Sequence, residues 1–136
     1  MIDLGIWLPV FGGWLRNVDD EGMPPTFAYN RKVAQAADAA GFSTMLIAEL
    51  NLNDINGPSH PALECWTTAS ALAPVTDALR IIAAIHPGFR EPAATAKMAS
   101  NIYHISYGRF RLNPVSAWRD AEMTTSVVDG LAPDPT

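Results

Sequence analysis

Residues 27–50 read FAYNRKVAQAADAAGFSTMLIAEL, and a change of period inside this stretch decides the fold class. Over residues 27–40 the apolar positions Val33, Ala37 and Ala40 fall on one helical face, with Ala34 beside them. Arg31, Lys32, Gln35 and Asp38 lie largely away from that face. Thr26 stands where an N-cap belongs, and Gly41 where a helix C-cap glycine belongs. Residues 42–50 then run apolar without helical spacing, as a buried strand does.

The same alternation extends in both directions. Upstream, residues 2–11 form an apolar run that stops at Gly12-Gly13, and it reads as a first strand. Downstream, Pro61 suits the first turn of a second helix, in which Ala62, Cys65, Trp66, Ala69 and Leu72 keep helical spacing. Residues 79–85 make a third strand, ended by Pro87-Gly88. Pro92 opens a third helix with Ala99, Ile102 and Ile105 on one face, Gly108 closes it, and residues 109–115 read as a fourth strand. Strand starts spaced roughly 30–40 residues apart match βαβ units, hence a parallel sheet with right-handed crossovers. A doubly wound open sheet and the first half of a (β/α)8 barrel both fit. Residues 123–136 show no period and are expected to lie outside the core.

Composition narrows the function classes. The 136 residues amount to one domain or part of one, and 49% hydrophobic against 17% charged residues provides a core. A net charge of -5 argues against nucleic acid or an anionic membrane as the main partner. The apolar runs are far shorter than the ~20 residues of a membrane span. The N-terminus carries Asp3 and no basic region, so a cytoplasmic protein is expected rather than a secreted one. Cys65 stands alone, which excludes an intrachain disulfide, and the three histidines lack metal-ligand spacing. The sequence holds no G-x-G-x-x-G, no P-loop and no G-x-S-x-G elbow.

In either architecture the ligand face lies at the C-terminal ends of the strands. Those ends carry Glu49, Leu50 and Asn51 on strand two, His86 on strand three, and Asn113 and Ser116 on strand four, with Trp118 and Glu122 beyond. His86 suits an active-site acid/base or a hydrogen-bonded structural histidine. His60 suits a helix start, His104 an outer helix face, and Cys65 and Trp66 the core.

Four segments in order resemble the bacterial-luciferase-like flavin monooxygenases. They are Tyr29 to Ala37 with Gly41-Phe42, Ile82 to Gly88, Ala94 to Ile105 with Gly108-Arg109-Phe110, and Asn113 to Trp118. The alkanesulfonate and dimethyl sulfone branches look nearest, with the pyrimidine monooxygenases nearby. The resemblance covers about residues 2–122 and implies the N-terminal part, about four β/α units, of a TIM (β/α)8 barrel. It implies reduced FMN from a separate flavin reductase, molecular oxygen, and a small substrate, in some branches an organosulfur compound.

Carried over position by position, it implies flavin contacts at Glu49, Leu50, Asn113 and Glu122, places His86 in the pocket as the catalytic candidate, and implies no metal. Three departures stand out: Pro114 where the family has valine, Ala117 where it has glycine, and Tyr107 in place of the first of two glycines. A barrel of this kind takes roughly 250 residues, so association through exposed barrel edges is expected. Two other readings stay open, an inactive truncated remnant and a small complete α/β ligand-binding domain.

Overall fold

The computed structural model describes residues 2–14, 22–53 and 55–115. Four strands alternate with three helices: β1 (Gly5–Trp7), α1 (Phe27–Ala39), β2 (Thr44–Ile47), α2 (Cys65–Leu72), β3 (Arg80–Ile85), α3 (Pro92–Ile105) and β4 (Phe110–Pro114). The strands form one parallel sheet in the order β1-β2-β3-β4. Sequential parallel order with right-handed crossovers puts every helix on the same side of the sheet. This is a four-strand portion of a (β/α)8 barrel, not a sheet with helices on both faces.

Register shows which face is which. Ile6, Met45, Ile81 and Phe110 lie in one row across the four strands, and Trp7, Leu46, Ile82 and Arg111 lie in the next. Successive residues of a strand point to opposite faces. The first row belongs to the helix side, where Met45, Ile47, Ile81, Ala83 and Phe110 join Trp66, Ala69 and Leu72 of α2 in the core. The second row faces away, and Trp7 on it is 56% exposed.

The helix ends follow local chemistry. Thr26 caps α1, its hydroxyl accepting the Tyr29 N–H. Gly41 takes φ +82°, the left-handed conformation that stops the helix and turns the chain into β2. The α3 boundaries match the sequence reading, with Pro92 in the first turn and Glu91 accepting the Ala93 and Ala94 N–H groups.

Two expectations are corrected. The first strand covers Gly5–Trp7 rather than residues 2–11. Leu8 N–H still bonds Leu46 O, but the next donor on that side, Val10 N–H, turns back to Leu8 O and leaves the ladder. Helix α2 begins at Cys65, not at Pro61, because the Glu64 carboxylate caps it through Trp66 N–H and Thr67 N–H. His60 therefore does not start that helix. Pro114, the departure from the family's valine, is accommodated in β4. Ile81 N–H bonds Arg109 O and Val115 N–H bonds Ile85 O, so odd-numbered residues of β4 face β3. Pro114 presents its missing donor to the outer edge, where proline is tolerated.

The segment that leads from α2 into β3 is held from two sides. Arg109, at the entrance to β4, donates to Ala73 O, Thr76 O, Thr76 Oγ1 and Leu79 O. Asp38, on α1, accepts the N–H groups of Asp77, Ala78 and Leu79. A guanidinium satisfies the carbonyls of this connection and a carboxylate satisfies its amides. Replacing Arg109 with Met is expected to destabilise the chain by ~3 kcal/mol, and Arg109→Lys is expected to recover little, since an ammonium cannot span the same carbonyls. Urea unfolding monitored by tryptophan fluorescence measures both.

Candidate functional site at the strand C-termini

The C-terminal ends of the four strands surround a cavity of about 580 Å³. Ala84 and Leu46 floor it, and Trp7, Phe11, Trp14 and Ile55 supply apolar wall. Four positions that the sequence singles out line it together: Glu49, Leu50, His86 and Asn113. Glu122, the remaining one, lies outside the described residues. Ser116 and Trp118 lie outside them as well. A smaller cavity of about 320 Å³, near Met23, Asn56 and His60, sits among the loops beyond the strand ends.

His86 follows directly on β3 and is 2% exposed. Its Nδ1 has no hydrogen-bond partner among the described residues. A buried imidazole nitrogen left without a partner is uncommon and requires an explanation, and a ligand in the adjoining cavity supplies one. Asn113 reaches the same cavity from β4 and carries both a donor and an acceptor on its carboxamide.

Glu49 is also buried, at 6% exposure. Its carboxylate accepts the His86 N–H at 2.6 Å and the Arg90 Nε–H at 2.6 Å, with Arg90 Nη2 making a further ion pair. Arg90 lies over the Trp66 ring, 4.6 Å from its centroid, and reaches Glu64 at 3.1 Å. The charge of Glu49 is thus met within the protein.

Two flanking residues behave as structural groups. Cys65 is buried and its thiol points to the carbonyls of Ile47 and Ala84. Burial, followed by the neighbouring charges of Glu49 and Glu64, pushes its pKa well above that of an ordinary thiol, so it is no nucleophile at neutral pH. Trp66 packs edge-on against Phe110 and donates its indole N–H to Ala84 O at 3.0 Å. His104 is exposed on α3, as the helical spacing implies. Among the described residues no group of three or more His, Cys, Asp or Glu is placed to hold a metal, and no helix is long and apolar enough to cross a membrane.

Sequence reasoning missed Trp7, Trp14 and Arg90. The signal for Trp7 was its parity in β1, which places it on the same face as Leu46 and Ile82. Trp14 donates its indole N–H to Trp7 O, a contact that no local pattern announces. Arg90 sits in a turn whose sequence gives no hint of a carboxylate 41 positions earlier.

A family model described as luciferase-like monooxygenase matches residues 3–133. The chain belongs to the luciferase-like monooxygenase family. That match continues past Glu122, where the resemblance read from the motifs fades. The pyrimidine monooxygenase RutA of Bradyrhizobium sp. (strain BTAi1 / ATCC BAA-1182) is 35% identical over 125 residues, covering 89% of this chain and 34% of that protein. RutA of Caulobacter sp. (strain K31) is 34% identical, over 89% and 35% of the two chains. The luciferase-like chain therefore spans about a third of the length of the curated relatives it matches.

Among solved structures, EDTA monooxygenase (EmoA) from Chelativorans sp. BNC1 superposes with a TM-score of 0.77 at 18% identity, over 90% of this chain and 30% of that one. The oxygenating constituent of 3,6-diketocamphane monooxygenase from Pseudomonas putida, solved in complex with FMN, gives 0.71 at 21% identity, over 93% and 32%. At these identities the likeness establishes the fold.

The cap of α2 makes this region sensitive to acid. Burial alone would raise the pKa of Glu64. The hydrogen bonds from Thr67 and Trp66, together with the charge of Arg90, outweigh it and hold the carboxyl below its ordinary value of 4.5. A depressed folded-state pKa contributes stability that is present above about pH 4.5 and lost as the pH falls through the folded value. Urea midpoints compared between about pH 6 and about pH 3 should fall for the wild type and fall less steeply for Glu64→Gln.

Proposed function

We propose that the strand-end cavity is part of a reduced-FMN- and O2-dependent monooxygenase site, with His86 and Asn113 as its principal polar groups. The observation that carries this reading is the unpartnered Nδ1 of buried His86, a residue that lines the same aromatic-walled cavity as Asn113. That donor set suits a flavin, a flat apolar ring with one polar edge. Asn113 would donate and accept at that edge. Leu50 and Trp7 would bound the ring. Glu49 and Glu122 enter as the positions at which the resemblance implies flavin contacts. His86 would hold or pass a proton at Nδ1. FMN, when bound in its reduced form, supplies the electrons for splitting O2, and the protein orients the substrate and keeps water out.

The wall also bears on the substrate. Glu49 is the only charged residue among the described residues lining the cavity, and no cation there is placed to neutralise a sulfonate. A neutral, pyrimidine-like substrate is therefore preferred over an alkanesulfonate, in keeping with the curated relatives. A separate reductase in the cytoplasm would supply the reduced FMN. The outer edges of β1 and β4 have no partner strand among the described residues, so self-association accompanies the reading. An inactive remnant is the competing reading, favoured by the one-third coverage of the relatives.

FMN titration followed by quenching of flavin fluorescence tests the proposal. Saturable binding is expected, weakened about tenfold or more by Asn113→Ala and by His86→Ala, the factor one lost hydrogen bond carries. Absence of saturable binding, or variants that bind as well as the wild type, would contradict it. Binding without substrate oxidation under reduced FMN and O2 would establish the inactive reading.

A further inference from the structure

We propose that Arg90 is a positioning residue for His86 and acts through Glu49. The functional part of this inference rests on the flavin reading of the cavity; the structural part is testable without any flavin.

One carboxylate holds both ends of the segment from His86 to Arg90. Glu49 Oε2 accepts the His86 backbone N–H, and Oε1 accepts the Arg90 side chain. Between these ends Pro87–Phe89 form a single 3-10 turn, with Phe89 N–H bonded to His86 O at 3.0 Å. The turn brings the Phe89 ring to 5.6 Å from the imidazole. The imidazole is thereby fixed at its backbone by Glu49 and on its flank by Phe89.

Arg90 is itself fixed. Its guanidinium is stacked on Trp66 and tied to Glu64, and its side chain is 18% exposed. Trp66 is anchored by its indole N–H on Ala84 O, two residues before His86 in the chain. The contacts close into a ring: Ala84, Trp66, Arg90, Glu49, His86. Every polar member has a partner in that ring, and the buried atom left without one among the described residues is His86 Nδ1. Both Glu49 oxygens accept from the turn, and this holds His86 in place. A guanidinium does this better than an ammonium, since it donates to two carboxylates while lying flat on an indole.

The experiment uses the 136-residue chain without FMN, as wild type, Arg90→Met, Arg90→Lys, Glu49→Gln and the control Arg80→Met. Arg80 forms an exposed pair with Asp3 at the opposite end of the strands. Hydrogen exchange of the His86 amide is compared with that of Ile81 and Ala83 in β3, and the imidazole ¹⁵N resonances of His86 are recorded. In Arg90→Met and Glu49→Gln the His86 amide is expected to exchange about tenfold faster or more relative to the β3 amides. The imidazole resonances are expected to move with it. Arg90→Lys should restore part of both, and Arg80→Met should change neither.

Unchanged exchange and resonances at His86 in Arg90→Met and Glu49→Gln overturn the proposal. So does an equal rise at Ile81 and Ala83, which marks general loosening. If Arg90→Met does not fold, Arg90→Lys and Glu49→Gln decide the matter. A wild type that binds no FMN refutes the flavin reading and leaves these flavin-free readouts standing. FMN affinity that is unaffected by Arg90→Met, in a wild type that binds, refutes the positioning role alone.

Discussion

The structure depends on how a short parallel sheet satisfies the backbone groups where its strands begin and end. Inside the ladder, each strand takes care of its neighbour. Beyond the ladder, the connections leave amides and carbonyls that water cannot reach fully, and such groups are costly to leave unpaired. This chain meets the need with long-range charged side chains. At the entrance to β3, Asp38 takes the amides and Arg109 the carbonyls of one connection. At the exit from β3, Glu49 takes the His86 amide and is itself met by Arg90.

The two ends of the sheet are consequently put to different use. At the N-terminal end the Asp38 and Arg109 contacts go to backbone groups and to the Thr76 hydroxyl, which is work of stabilisation. At the C-terminal end the charged groups are spent on holding a turn, and His86, whose Nδ1 has no partner among the described residues, lines the cavity. That division agrees with barrels of this class, where chemistry gathers at the C-terminal face and stability at the other. The uncovered sheet face, with Trp7 half exposed, continues into the cavity wall, so site and open face are one surface.

What the sequence made legible was local. Thr26, Gly41 and Pro92 mark boundaries through their own backbone chemistry, and the structure puts helix ends at each. Their positions at the C-terminal ends of the strands placed Glu49, His86 and Asn113 at one end of the sheet before any coordinates were needed. The errors arose where local signals competed. Pro61 looked like a helix start, but the Glu64 carboxylate offered two bonds to amides that a proline could not. An apolar run to residue 11 looked like strand, yet Val10 N–H turns back to Leu8 O and leaves the ladder. Asp38 reads only as lying away from the apolar face of its helix, and Arg109 and Arg90 carry no local sign of a partner. Their partners lie 26 to 41 residues away, a separation that no periodicity records. Family resemblance supplied the barrel and the cofactor class, which composition and spacing left open between two architectures.

The central claim is that the C-terminal ends of the strands form a flavin-binding face organised around His86. Mapping FMN-induced shifts in a ¹H–¹⁵N spectrum of the chain tests this most directly. The account predicts shifts concentrated at Trp7, Leu50, His86 and Asn113, with Asp38, Arg80 and Arg109 at the opposite end unmoved. Shifts centred on the N-terminal ends of the strands, or spread evenly over the sheet, would contradict it.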